Sequence, residues 1–420
     1  MAVVQQNLSG NEAILIQNKQ YSIRVVQLLH QSASRDNKEY TQQKTMDLII
    51  ENQLIADEAI RQFGEEAFLH AEDRVGFSAR YMLENQYVTT VQYLFRNAMQ
   101  SQAPSIDVKK FITKSFACEP DLLKKALFLG QHQEFKLPDA ELKAADNYKL
   151  LSFQFPSKTL ESISLGDIYR EQNVQGRIAL HNGDCGFLQS TTDHGFMQHY
   201  VIYWVETHSG LSVAEIQQIK MALRARYIKD QYLAKLGIAE DAHDDSDYVI
   251  ARAKKITSNE IYQYYDVHKD QFKRVTKAKG RHLLINTQEL ADKIYAELLA
   301  GLDFNEAIKK YSQADDKNSA SPGAVDWVYN NASVPWRDTL FLILPPNKIN
   351  PPLKAPFATE WEIIMVDKRV EEYQAKDSEG VRYQVAQILA RQKIKEEFSD
   401  LQKRLYANTL IRINPLLINK

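Results

Sequence analysis

The sequence predicts an α+β protein: a mostly helical module, built twice over, and one smaller unit in which a short sheet is flanked by helices. Three observations point there. Apolar residues recur at helical spacing over long stretches, as in Met46, Ile49, Ile50 and Leu54, and again in Val381, Val385, Ile388, Phe398, Leu401 and Leu405. Two apolar runs of strand character, Arg281-His282-Leu283-Leu284-Ile285 and Trp361-Glu362-Ile363-Ile364-Met365-Val366, bracket a stretch of short helices. And 420 residues exceed what one ordinary core supports, so two or three units are expected.

Taken in order, Ile14-Leu15-Ile16-Gln17 reads as a strand or hairpin with Asn18-Lys19 at its turn. The helix through Met46 runs on past Ile60 and Phe63 to Gly64, a stop residue. Helical patterns continue from Glu65 to Gln100. Ile163 to Ile168 reads as a strand leading into a helix, and Phe196 to Val205 is aromatic and β-branched at its end. Ser212 with Glu215 three residues on is a capping box opening a long helix. Ala79-Arg80-Tyr81-Met82 is echoed by Ala225-Arg226-Tyr227-Ile228, each at a similar distance from a strand-like segment. The echo predicts tandem copies of one helical unit; chance similarity of amphipathic helices is the open alternative. Residues 240–247 are acidic and polar, a linker. Ser258 opens a helix that ends near Phe272. Ile411 and Ile413 alternate with Arg412 as a terminal strand, which Pro415 ends or pushes to an edge. The resulting units are 1–145, 146–250, a connecting helix at 251–276, 277–370, and 371–420.

Composition narrows the function classes. With 44% hydrophobic and 25% charged residues the chain is of globular type. A net charge of −2 calls for neither nucleic acid nor an anionic membrane as partner. No apolar run approaches the ~18 residues of a spanning helix. Met1 to Glu12 lacks a basic head and apolar core, so the expected compartment is the cytoplasm, or the periplasm if a leader has been removed. Cys118 and Cys185 are expected to be free thiols, since no disulfide framework is visible.

Between Gly280 and Val366 the motifs are specific. A helix face of Leu290, Ile294 and Leu298 closes at Gly301, and Asp303-Phe304-Asn305-Glu306 caps the next helix. Tyr311-Ser312, then Gly323 and Trp327, then Pro335-Trp336 with Phe341, and Pro351-Pro352 complete the order. This resembles the parvulin family of prolyl isomerases, and the preceding Asn259 to Phe272 segment resembles the helix that precedes parvulin domains in SurA-type and PpiD-type chaperones. The resemblance implies a small antiparallel sheet flanked by helices, and a helical chaperone module built from both sides of it, so that the C-terminal helix packs back on the N-terminal helices.

Parvulins place two histidines on adjacent strands, a cysteine or aspartate beside them, and an apolar pocket for proline. The resemblance puts the first histidine at His282. The second falls at Glu362, and Thr359 supplies a nearby hydroxyl. The cysteine or aspartate position falls at Ala314, or at Asp315 if the loop shifts by one. The substrate pocket falls at Val325, Ala332, Trp336 and Phe341. A carboxylate beside His282 favours a protonated imidazole over two neutral ones around an amide. The expectation is a SurA-like chaperone or assembly factor that binds non-native or client polypeptides, with a divergent parvulin unit of weak or no activity. An active prolyl isomerase is the alternative. No cofactor is expected.

His181, Cys185, His194, His199 and His208 are metal-ligand types, but their spacing matches no zinc signature, so no metal site is assigned there. The segment has a partly strand-like reading, with His194 and His199 on opposite sides. Asp241, Asp244, Asp245 and Asp247 lack the glycine and distal glutamate of a calcium loop. The tyrosines, among them Tyr81, Tyr87, Tyr227, Tyr232, Tyr262, Tyr264 and Tyr265, are expected in packing more than in binding.

Overall fold

The structure, a computed structural model, describes residues 4–35, 40–69, 76–102, 107–128, 136–239, 246–331, 334–356 and 358–417. Ala332 and most of the expected linker at 240–247 lie outside these residues. The chain divides into two compact units, Met1–Val249 with Arg391–Lys420, and Ile250–Ala390. The boundary anticipated at 145/146 falls inside the first of them.

The first unit opens with β1 (Val4–Gln5) and the hairpin β2 (Glu12–Ile16) and β3 (Lys19–Ser22), turning at Gln17 and Asn18. Ser22 then caps α1 (Ile23–Ala33), its hydroxyl accepting from the Val25 N–H. Helix α2 (Gln42–Phe63) stops at Gly64, whose φ of 78° suits a residue without a side chain. Short α3 (Glu66–Leu69) and long α4 (Ala79–Gln102) follow. Next come β4 (Ile112–Ser115), α5 (Pro120–Ala126), α6 (Asp139–Asp146), β5 (Lys149–Phe153) and β6 (Glu161–Ser164), the three strands forming one antiparallel sheet. Ser164 and Asp167 form a capping box on α7 (Leu165–Glu171), so a hairpin feeds a serine-capped helix here as it does at β2, β3 and α1. Helix α8 (Val174–His181) precedes α9 (Cys185–His208) and α10 (Val213–Lys235), the last capped by Ser212 and Glu215 as the spacing predicts. Of the echoed tripeptides, Ala79 starts α4 whereas Ala225 lies in the middle of α10.

Two readings change here. Residues 196–205 are helical throughout, because Leu188, Phe196, Val201 and Trp204 recur at helical spacing and are buried. His194 and His199 therefore belong to one helix. And Cys118 and Cys185 are joined in a disulfide with a Cα–Cα distance of 5.6 Å, not free thiols. Their 67-residue separation hid a juxtaposition made by the fold: the chain ahead of α5 returns to the start of α9. Both half-cystines pack on the core of Leu151, Phe153, Leu165 and Ile168.

The second unit contains α12 (Ser258–Val267), reached through α11 (Asp247–Ala253). Helix α12 opens at Ser258 as expected, and its cap is Thr257, paired with Glu260. The helix ends at Val267, with a separate 3-10 turn running on to Phe272. Then come β7 (Lys273–Ile285), α13 (Gln288–Leu299), α14 (Phe304–Tyr311), β8 (Ala324–Tyr329), α15 (Trp336–Ile343), β9 (Leu353–Lys354) and β10 (Trp361–Tyr373). Their sheet has the order β8-β7-β10-β9 and is antiparallel throughout. Both central strands are 13 residues long, well beyond the apolar runs that announced them.

Helix α16 (Glu379–Asn408) begins in the second unit, where Val381 and Val385 pack on Ile261, Tyr265 and Phe272. Its later turns belong to the first unit, where Gln402 bonds Glu51 of α2. Strand β11 (Ile411–Ile413) then sits between β1 and β2, parallel to one and antiparallel to the other. Pro415 ends this strand and does not push it to an edge.

Candidate functional site

Register decides what can meet on the second unit's sheet. His282 on β7 lies opposite Ile364 on β10, and Leu284 lies opposite Glu362. Side chains alternate between faces, so His282, Leu284, Glu362 and Ile364 share one face. Leu283, Ile285 and Ile363 share the other, packed on Ala291, Ile294, Phe304 and Ile308 of α13 and α14. The His282 face is covered by α15, whose Phe341 packs with Ala278, Ile364 and Val366.

His282 and Glu362 are 1% and 5% exposed. The imidazole Nδ1 lies 2.9 Å from Glu362 Oε2, and Nε2 lies 3.2 Å from Asp316 Oδ2. With both carboxylates ionised, both ring nitrogens would donate, which is the imidazolium arrangement. Burial by itself pushes the imidazole pKa down, but the hydrogen bond and charge of Glu362 outweigh it. Arg337 opposes and Asp316 adds, leaving His282 above its ordinary value.

Asp316 stands on a 3-10 turn, Asp315–Asn318, that is tied to β7. The buried Ser312 hydroxyl accepts from the Leu284 and Ala314 N–H groups, and Gln313 N–H donates to Leu284 O. On the other side of His282, its N–H donates to Gly323 O at 2.8 Å. Gly323 has φ 66°, and a Cβ there would lie 2.5 Å from His282 O. No other residue fits that approach.

Of the residues singled out in the sequence, His282 and Glu362 meet. Val325 and Trp336 are half-buried and Phe341 fully buried in one apolar cluster on the His282 face. Thr359 does not join them: it is exposed before β10, its backbone N–H donates to Glu360, and it is no partner of His282. Ala314 caps the 3-10 turn and Asp315 is exposed. The acid at the imidazole is Asp316, which the sequence reading missed by one residue. The consecutive acids after Tyr311-Ser312 were the signal, but the turn length that selects the second of them was not legible.

The histidine-rich segment of the first unit is committed elsewhere. Cys185 is in the disulfide. His181 bonds the Tyr169 hydroxyl and Leu127 O, at 2.9 and 2.7 Å. His199 lies 3.3 Å from Glu161. That unit holds a cavity of about 560 Å³ lined by Tyr81, Glu84, Ile163, Ile168, Glu171 and Arg177, among others. Burial, then Glu84 and Asp167, push the Glu171 carboxyl up to about 7 against the pull of Arg80.

No family model matches the chain. A Chaperone SurA of Hahella chejuensis is 32% identical over 140 residues, covering 30% of this chain and 30% of that protein. A Foldase protein PrsA of Clostridium perfringens is 28% identical over 208 residues, covering 43% of this chain and 59% of that one. Over part of its length the chain is similar to proteins named Chaperone SurA and Foldase protein PrsA. It matches less than two thirds of the length of either relative. Solved structures similar to it include a SurA-like chaperone of Campylobacter jejuni, at 10% identity over 97% of this chain and 100% of that one, with a TM-score of 0.27. A peptidylprolyl isomerase PrsA of Bacillus anthracis matches at 17% identity over 52% of this chain and 82% of that one, with a TM-score of 0.21. Scores this low support no inference about arrangement.

Proposed function

We propose that this chain is a SurA-like chaperone or assembly factor that binds non-native polypeptide, and that its parvulin-like unit isomerises prolyl bonds weakly or not at all. The similarity to chaperones named SurA and foldases named PrsA carries the first half. The first unit's cavity, with aromatic, aliphatic and charged walls, is the place proposed for client side chains. Glu362 carries the second half. Isomerisation needs polar groups free to favour a twisted amide, over a barrier of roughly 18–20 kcal/mol. An imidazole held at both nitrogens by carboxylates has neither a lone pair nor a free N–H to offer.

The disulfide supports a periplasmic or otherwise extracytoplasmic setting over the cytoplasm, because glutathione and thioredoxin keep cytosolic thiols reduced. The test of holding activity is suppression of aggregation of a chemically denatured client at stoichiometric amounts of this protein. Failure there, with one dominant partner in pull-downs, replaces a general chaperone by a dedicated assembly factor.

One observation favours the second reading, an active isomerase: Asp316 supplies an acid beside His282, as the parvulin pattern does. A protease-coupled assay on a prolyl tetrapeptide separates the two. A rate near that of ordinary parvulins, abolished by His282→Ala, overturns the weak-isomerase reading.

A further inference from the structure

Strand β7 carries Lys277 and Lys279 two residues apart, so both project from the face opposite Ala278, Gly280 and the buried His282. Lys368 on β10 is directly opposite Lys279 in the register. All three ammonium groups converge on one ring, at 4.7, 5.3 and 6.0 Å from the centroid of Trp327 on β8. Lys277 is also 5.5 Å from the ring centre of Tyr329, which is 56% exposed. Neighbouring charges are already paired: Arg281 with Asp367, and Lys273 and Arg369 with Glu371. Among the described residues, Lys277, Lys279 and Lys368 have no carboxylate partner. Three like charges gathered within about 6 Å of one indole repel one another and are held by ring contacts worth only ~0.5–1 kcal/mol each at exposed sites.

We infer that this lysine-ringed face of Trp327 is a docking site for an acidic, extended segment of a client polypeptide. Charge complementarity and spacing argue for that occupant. Side chains on one face of an extended chain recur every ~6.8 Å, the interval separating Lys277 from Lys279, so carboxylates at alternate positions of the client can meet them in step. The exposed Tyr329 ring continues the platform for an apolar neighbour. A long polyanion is the alternative occupant, and competition by an oligonucleotide decides against or for it. The site rests on the chaperone reading and specifies a class of client for it.

The test is fluorescence anisotropy of a rhodamine-labelled peptide alternating Val and Glu, titrated with the full-length protein. A peptide alternating Val and Gln, an oligothymidylate and phosphatidylglycerol vesicles serve as competitors. The expected result is binding that weakens with salt, is not competed by the glutamine peptide, and falls at least fivefold in Lys277→Gln/Lys279→Gln/Lys368→Gln. The corresponding triple Lys→Arg variant should retain it, since charge and cation–π contact both survive. A loss smaller than fivefold, or tighter binding of the oligonucleotide or the vesicles than of the acidic peptide, overturns the inference. Aggregation of a client lacking acidic runs is followed in parallel. Failure of the chaperone reading appears in that assay with the unmodified protein, whereas failure of this site appears in the peptide titration alone.

Discussion

Replacing Glu362 by Gln asks whether the His282 site is an ion pair or merely a hydrogen-bonded core histidine. The side chain keeps its size and an acceptor oxygen but loses its charge. At 2.9 Å, with both partners buried, the bond is charge-assisted, and removing the charge costs about 1.5–3 kcal/mol. Losing a partner from a buried pair can cost 3–5 kcal/mol, but here the imidazole can shed its proton and Asp316 stays in place, so about 2 kcal/mol is expected. The pH dependence carries the sharper test. The folded-state pKa of His282 is raised above its ordinary value of 6.5. The stabilisation is thus complete below pH 6.5 and is lost as pH rises through the folded pKa. Urea unfolding of the second unit, followed at pH 6 and pH 9, should show a large deficit in Glu362→Gln at the lower pH and a smaller one at the higher. NMR of ring-labelled histidine should find His282 titrating above the ordinary 6.5. A His282 resonance that titrates below 6.5, or equal deficits at both pH values, refutes the ion-pair account.

Three further outcomes follow from the geometry. Breaking the Cys118–Cys185 bridge by Cys118→Ser/Cys185→Ser should destabilise the first unit by ~4 kcal/mol on the loop-entropy relation for a 67-residue separation, measured by urea unfolding with and without reductant. For Glu171, with its pKa pushed up to about 7 beside Glu84 and Asp167, the folded state loses stability as pH rises from about 4.5 to 7. Glu171→Gln should therefore gain about 2 kcal/mol at pH 8, after discounting for partial exposure, and nothing at pH 4; a gain at pH 4 contradicts the assignment. Gly323→Ala should cost about 3 kcal/mol, since the new Cβ meets His282 O and Ile308 and the backbone sits at φ 66°; an unchanged urea midpoint would show that the loop can yield.

What could be read from the chain beforehand was local. Capping pairs such as Ser212 with Glu215 and the stop at Gly64 are written in adjacent residues, and the structure places them as spelled. The apolar runs around His282 and Ile363 gave the two central strands because both faces of those strands are covered, so neither alternates with polar residues there. The same signal missed the first half of β7, where Lys277 and Lys279 alternate with Ala278 and Gly280 and only one face is buried. Three features depended on distant segments meeting. The disulfide needed the start of α9 to return to the chain before α5. The helical nature of residues 196–205 was masked by β-branched and aromatic residues whose propensity yields to tertiary packing. Asp316 was concealed by the length of a turn, which is set by Ser312 and Gln313 bonding back to β7.

On the proposed reading, the His282 face keeps a catalytic framework without its chemistry. The register of β7 and β10 aims whatever residue stands at 362 toward the imidazole, and the Gly323 contact fixes that imidazole's backbone from the other side. Sheet, helices and loop therefore impose position without imposing identity. With a second neutral ring at 362, the two imidazoles and Asp316 could exchange protons and leave one lone pair or N–H for an amide. With Glu362 there, the imidazole pKa is raised, and in the protonated ring both N–H groups are committed to carboxylates. The change leaves the opposite face, where Leu283 and Ile363 pack on α13 and α14, as it is, and meets only the cluster of Phe341 and Ile364 on its own face. Glu362→His is accordingly the substitution that should raise prolyl isomerase turnover while leaving the fold intact. If its protease-coupled rate stays at the level of the unmodified chain, the block on catalysis lies in the apolar pocket around Trp336 and Phe341 and not at the imidazole.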